Sequence, residues 1–351
     1  MSIRKFKLLN ICIVIVVLCV FIYALFYTNV HSYINYTSEE VPSILKPFEE
    51  HNVWLIFTKV DRKSPLRTKF RKLIINMLNV SSVPLKFNII TDLSSKEIAE
   101  QEISDIILNT NKLLPYSIYD FDLCAIKIKN IVDVMTPHFS SRPGSYYSSA
   151  LFYLSLGLHR IAPENQEKAI MLDCDLYFKD DVALLFKEFY HFKPTALFGL
   201  APELTTVYLH ILQSFRKSNK NSTFGNYYHE NDISGNSVHP KGFQGYNSGV
   251  LLLNLKKIRN SKEYNEILSK QSVDGMAEKY KFRGHLGDQD FFTLMGYEHP
   301  DLIQTIHCGF NRQLCTFWRD HGYQKVFKDY ARCNHSTVVL HGNCNTKIPT
   351  N

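Results

Sequence analysis

The pattern of apolar and polar positions divides the chain into an N-terminal apolar run, a short polar stretch and a long alternating region. Residues 8–27, LLNICIVIVVLCVFIYALFY, hold no charged residue over 20 positions. That is about the length of helix needed to cross ~30 Å of hydrocarbon. The apolar core of a cleaved signal peptide spans only about 7–15 residues, and no small-x-small site follows here. The pattern therefore predicts an uncleaved transmembrane signal anchor. Arg4, Lys5 and Lys7 stand directly before it, which makes residues 1–7 a cytoplasmic tail and the protein type II. Residues 28–50 are polar, with Pro42 and Pro47, and read as a stem.

From residue 51 short apolar runs alternate with stretches of helical period. Strands are predicted at 53–58, 85–91, 123–128, 169–172, 196–200 and 250–255. Helices are predicted at 65–79, 95–108 and 180–189, with a strongly apolar one at 146–159. Such alternation argues for an α/β fold with a mostly parallel sheet, here one domain over residues 51–351. Residues 214–246 are rich in Asn, Ser, Gly and His and read as a long loop, a kind that is usually functional or disordered.

Composition adjusts this picture in two places. With 45% hydrophobic and 21% charged residues, the chain is neither disordered nor fibrous. The net charge is +7, and three of those charges precede the anchor. The small remainder does not suggest a nucleic-acid partner. Four N-x-Ser/Thr sequons, at Asn35, Asn79, Asn221 and Asn334, agree with a lumenal location beyond the anchor. Cys308, Cys315, Cys333 and Cys344 crowd the C-terminal end without the CxxC pairs of zinc modules. In an oxidising lumen they form two disulfides, in one of three pairings. Cys124 and Cys174 lie in apolar runs and read as buried thiols.

The sharpest chemical feature is Asp173-Cys174-Asp175, two carboxylates ending an apolar strand, where α/β sheets bind ligands. Such a pair can meet one divalent cation. Two other Asp-x-Asp triplets differ in position. Asp120-Phe121-Asp122 precedes the predicted strand at 123–128, on the wrong edge of the sheet. Asp288-Gln289-Asp290 follows Gly287 and suits a helix N-terminus. Residues 337–340 are a further apolar strand that delivers His341, followed by Gly342-Asn343. Two carboxylates and one imidazole suit Mn²⁺ better than the oxygen-seeking Mg²⁺, though Mg²⁺ stays open. Gly245-Tyr246-Asn247-Ser248-Gly249 and Arg283-Gly284-His285-Leu286-Gly287 allow close backbone approach to a ligand; the bland readings are a β-bulge turn and a capped helix. Neither is a dinucleotide fingerprint, and no P-loop, G-x-S-x-G or H-E-x-x-H occurs.

Together these segments, with the blocks FRGHLGDQDFFT, NRQLC, WRDHGY and HGNCNTKIP, resemble glycosyltransferase family 8. The resemblance covers about residues 51–351. It implies a GT-A nucleotide-sugar transferase fold with a mostly parallel, Rossmann-like sheet. It further implies retaining α-1,3 transfer of xylose from UDP-xylose onto the terminal xylose of a xylose–glucose glycan. That glycan is O-linked to EGF-like repeats of the Notch type. By the same resemblance Asp173, Asp175 and His341 hold the metal, and Gln289 stands beside the anomeric carbon. Thr58, Lys59, Cys174, Ser248, Leu286, Asn343 and Lys347 fall on the donor side, and Trp318 and Phe317 on the acceptor side. The disulfides pair Cys308 with Cys333 and Cys315 with Cys344. The family's H-x-x-G-x-x-K-P-W ending is altered, with Cys344 in place of the glycine and Ile348-Pro349 in place of the Pro-Trp. The implied residence is the endoplasmic reticulum membrane, with the Golgi open, and a second copy of the chain is allowed as a partner. A glucoside xylosyltransferase, another family 8 hexosyltransferase or a sugar-binding pseudoenzyme are the rival readings.

Overall fold

The computed structural model describes residues 51–140, 149–227 and 242–349, and ten strands organise these described residues. They are β1 (His51–Phe57), β2 (Leu85–Thr91), β3 (Tyr116–Asp120), β4 (Ala169–Leu172), β5 (Leu176–Phe178), β6 (Phe198–Pro202), β7 (Tyr246–Leu253), β8 (Ile303–Thr305), β9 (Arg312–Gln313) and β10 (Val339–His341). Seven form one sheet in the order β3-β2-β1-β4-β7-β6-β8. Only β7 runs against its neighbours. The sheet is therefore mostly parallel, as the alternating pattern predicts.

Helices cover both faces, because the central strands are apolar on both sides. In β1, Val53, Leu55 and Phe57 enter one buried cluster while Trp54 enters the other. In β7, Val250 and Leu252 likewise face away from Leu251 and Leu253. Helix Pro65–Val80 starts at Ser64, whose hydroxyl accepts from the Leu66 amide, with proline in the first turn. That is a favoured start, since proline's missing N–H would have no helical partner there. Helix Leu93–Thr110 is capped by Asp92.

Two predicted elements are corrected. Residues 123–128 belong to a helix, Phe121–Lys127, not to a strand. Asp120 caps it by accepting from Leu123 N, Asp122 lies in its first turn and Lys127 in its last. Short apolar runs do not distinguish strand from buried helix, and here the flanking charges complement the helix dipole. The third strand is instead the edge strand β3, so Asp120 leaves the carboxyl edge of the sheet rather than the opposite one. The described part of the apolar segment 146–159 is a tight 3₁₀ stretch, Ala150–Gly157, followed by Leu158–Ile161. A Cβ on Gly157 would sit 2.2 Å from Ile128, so this segment packs at glycine-only distance.

A small second sheet, β5-β10-β9, pairs β10 antiparallel to β5 and parallel to β9. Two disulfides tie its surroundings, Cys308–Cys333 and Cys315–Cys344, the pairing the resemblance implies. Cys124 and Cys174 are free and buried. The predicted tail, anchor and stem (1–50), Asn35 and part of the 214–246 loop lie outside the described residues. Among the described residues no helix is long and apolar enough to cross a membrane.

Candidate functional site

β1 and β4 run parallel, with Leu55 beside Leu172, so the segments following them leave the same edge of the sheet. Thr58 and Lys59 follow β1. Lys59 takes a positive φ of 56°, and its amide donates to Asp92 Oδ2 at 2.6 Å. Burial alone would raise the Asp92 carboxyl, but hydrogen bonds from Ser95, the Lys59 amide and Ser94 outweigh it and hold it low. Asp173 and Asp175 follow β4.

His341 arrives through the second sheet. It pairs with Leu176, the residue after Asp175, and Gly342 N donates to Asp175 O at 2.8 Å. His341 Nε2 lies 3.6 Å from Asp173 Oδ2 and 3.4 Å from Asp175 Oδ1. The three ligand atoms all fall within 4.8 Å of one another. Gly249 of β7 makes room for them, since a Cβ there would meet His341 Cε1 at 2.3 Å and Asp173 Oδ2 at 3.0 Å. The β6–β7 register shifts between Leu200 and Ala201. The bulge reading and the close-approach reading of this glycine-bounded segment therefore both hold.

A buried relay sets the tautomer of His341. Its Nδ1 faces Asn311 Oδ1 at 2.9 Å, while Asn311 Nδ2 donates to Asn247 Oδ1 at 2.9 Å. Asn247 Nδ2 in turn donates to Glu203 Oε2 at 2.8 Å. With the Asn311 carbonyl as acceptor, the imidazole carries its proton on Nδ1 and turns the Nε2 lone pair toward the two acids. This is the usual support behind a metal-bound histidine, and the donor set fits a divalent cation. Burial works against the protonated ring, but the Asp175 contact and both aspartate charges raise the His341 pKa. Burial opposes ionisation of Asp175 too, yet the His341 contact and the Lys69 ammonium hold its carboxyl well below the usual range.

Gln289 opens helix Asp288–Glu298, capped by Gly287 at φ 68°. Its Nε2 donates to Glu203 Oε2 at 3.2 Å, and its Oε1 accepts from Ser248 N at 3.4 Å. The flanking acids are structural braces. Asp288 accepts from the Ser155 and Ser248 hydroxyls, and Asp290 from Leu286 N and Tyr208 OH. Burial pushes both carboxyls up to about 7. Asp290 thereby fixes the Leu286 loop, where Gly284 lies so close that a Cβ would strike Asp290 Oδ2.

The other predicted residues are spread around this centre. The Cys174 thiol packs into the core and donates to Ile56 O at 3.6 Å. Asn343 Oδ1 accepts from the Leu314 and Cys315 amides. Cys344 adopts φ 56°, ψ 29°, the left-handed conformation suited to the glycine that the family motif carries there. Lys347 is exposed. Trp318 packs against His210 in a tilted arrangement, ring centroids 4.6 Å apart, with Phe317 half-exposed beside it.

Glu203, Asn311 and Lys69 were not singled out from the sequence. Glu203 carried a usable signal, an acid directly after the apolar strand β6, as Asp173 is after β4. Its Oε1 also accepts from Thr205 N at 2.9 Å, so three donors converge on one buried carboxylate. A glutamine at 203 must turn its amide NH₂ toward one of them. Glu203→Gln is expected to lower activity about 10–100-fold, the range typical of outer-shell partners. Initial rates across a metal titration check this, and an unchanged rate would remove Glu203 from the site's support.

Comparison with known proteins identifies the family and the fold. The family model described as "Glycosyl transferase family 8" matches residues 24–348. Xyloside xylosyltransferase 1 of Mus musculus is 37% identical over 305 residues, 86% of this chain and 75% of that protein. The Homo sapiens protein of the same name is 38% identical over the same shares. The apo crystal structure of the mouse protein superposes with a TM-score of 0.78, covering 86% of this chain and 100% of that one.

Proposed function

The chain belongs to glycosyl transferase family 8, and from that membership we propose that it transfers xylose from UDP-xylose to the terminal xylose of a xylose–glucose glycan. The GT-A-like fold, the mostly parallel sheet and the transferase class follow from the family and its solved relative. The observation that carries the reading to this chain is the Asp173–Asp175–His341 cluster, with Gln289 bound to the amide of Ser248, next to Gly249 on the same strand.

Those three side chains would hold a divalent cation, Mn²⁺ in this proposal. When bound, such a cation acts as a Lewis acid and neutralises charge on the departing diphosphate. Thr58 and Lys59, set by Asp92, are assigned to the uridine. Ser248 and Leu286 are assigned to the transferred sugar, and the backbone of Cys174 with Asn343 and Lys347 to the diphosphate. Glu203 holds the Gln289 amide nitrogen. With Ser248 N on its Oε1, the amide is held at both ends, and the remaining lone pair of Oε1 is assigned to the oxocarbenium-like state. An α-linked donor yielding an α-linked product implies retention. With no free carboxylate assigned as a nucleophile, attack proceeds on the face the leaving group vacates. Trp318 and Phe317 form the acceptor platform, because aromatic faces suit sugar rings.

The acceptor is proposed to be an O-glucose glycan on EGF-like repeats of the Notch type, met in the lumen of the endoplasmic reticulum or Golgi by a type II protein anchored through residues 8–27. The exposed sequons Asn79, Asn221 and Asn334 and the two disulfides support that compartment. The test is UDP release from UDP-xylose with a xylosyl-glucose acceptor, with and without Mn²⁺. Release that depends on both is expected. Preference for a glucose acceptor or a hexose donor would redirect the reading to a sister activity, and no release at all would make the chain a sugar-binding pseudoenzyme.

A further inference from the structure

Lys69 enters the site from helix Pro65–Val80, far from it in sequence. Its ammonium lies 3.2 Å from Asp175 Oδ2 and 3.0 Å from Asn345 Oδ1 in the C-terminal loop. Asp175 thus divides its oxygens, with Oδ1 facing His341 and Oδ2 facing Lys69. The Lys69 side chain is about one third exposed, so it can turn toward a ligand without leaving a buried position. Lys347, the other lysine assigned to the diphosphate, is exposed and has no hydrogen-bond or ion-pair partner among the described residues.

A fixed positive charge at this point acts oppositely on the two ligands of the site. A bare divalent cation shared by Asp173, Asp175 and His341 meets a like charge already paired with one of its ligands, which opposes entry. A diphosphate brings negative charge, and the three donors of an ammonium can swing from Asp175 to a phosphate oxygen. We propose that Lys69 couples the two ligands, weakening binding of the metal alone and strengthening binding of the metal with a nucleoside diphosphate. The same charge then meets the leaving group as its bond to the sugar breaks. The inference rests on the nucleotide-sugar reading above.

A purely positional role for Lys69 gives a different sign. If the ammonium only held Asp175 in place, removing it would weaken metal binding in every state. The experiment uses the full chain, with Mn²⁺ binding followed by electron paramagnetic resonance and UDP binding by calorimetry at saturating Mn²⁺. Lys69→Met is expected to tighten Mn²⁺ alone about 2–5-fold, the scale of a partly exposed charge pair. It is expected to weaken UDP about 10–100-fold, the scale of a hydrogen bond to a charged group. Lys69→Arg, which keeps the charge, is expected to retain the wild-type order of affinities, and Lys72→Met, an exposed lysine on the same helix, to change neither. Weaker or unchanged Mn²⁺ binding in Lys69→Met overturns the proposal, as does unchanged UDP affinity. Wild-type protein that binds neither Mn²⁺ nor UDP overturns the nucleotide-sugar reading itself, and this inference with it.

Discussion

Asp175→Asn is expected to reduce metal-supported UDP release by at least about 100-fold, since losing even an outer-shell partner of a metal ligand costs 10–100-fold. The substitution keeps the side-chain shape and removes one negative charge from a site holding two carboxylates and an imidazole. It also leaves Lys69 facing a neutral amide where Asp175 Oδ2 lies at 3.2 Å. The metal would then have to be held by Asp173, whose side chain is 60% exposed, and by His341. Rates measured over a wide Mn²⁺ range separate lost affinity from lost chemistry. A variant that reaches the wild-type rate at the wild-type half-saturating Mn²⁺ would end the assignment of Asp175 as a ligand.

Gly249→Ala is the second large effect, and it involves a residue with no functional group. Its added Cβ would overlap the imidazole of His341 at 2.3 Å and press on Asp173 at 3.0 Å. The imidazole cannot retreat freely, because Asn311 holds its far side at 2.9 Å. Overpacking of this kind costs about 1–3 kcal/mol in stability, and the ring is displaced from the position it shares with the two acids. Mn²⁺ affinity is expected to fall about 10-fold or more, in line with other disturbances behind a metal ligand, with a lowered Tm. Gly275→Ala is the matched comparison. Nothing lies within 4 Å of its added Cβ, and alanine suits the interior of helix Lys270–Lys279 better by about 0.5–1 kcal/mol. Calorimetric Tm and Mn²⁺ binding on both variants test the pair. A Gly249→Ala protein with wild-type metal affinity would refute the packing argument.

The sequence was most informative where one element carried its own signal. β2 and β4 fall on the predicted residues because each is a short run that an aspartate closes, fully apolar in β4 and carrying Leu85, Phe87, Ile89 and Ile90 in β2. The Asp173–Asp175 pair stood out by the same logic, ending a strand at the ligand-binding edge. The miss at residues 123–128 shows the limit. LCAIKI reads equally as a strand or as a buried helical turn, and the decision lay in Asp120 just before it. Glu203 and Asn311 were missed because each acts through another side chain across 44 or 30 residues of chain. Lys69 was missed because nothing within its helix distinguishes it from its neighbours Arg67, Arg71 and Lys72.

What the sequence by itself determined is local: the alternation that makes an α/β sheet, the two acids leaving β4, the histidine ending β10 and the helix after β1. Those are properties of a few consecutive residues, set by periodicity, capping and charge. Only the tertiary structure decided that His341 meets Asp175, because the pairing of β10 with β5 closes a separation that no local pattern encodes. It alone decided that Gly249 is the space the imidazole occupies, that Glu203 braces both the metal side and Gln289, and that Lys69 reaches Asp175. Each of these is a contact between distant segments, and sheet register and side-chain volume set it only once the chain has packed.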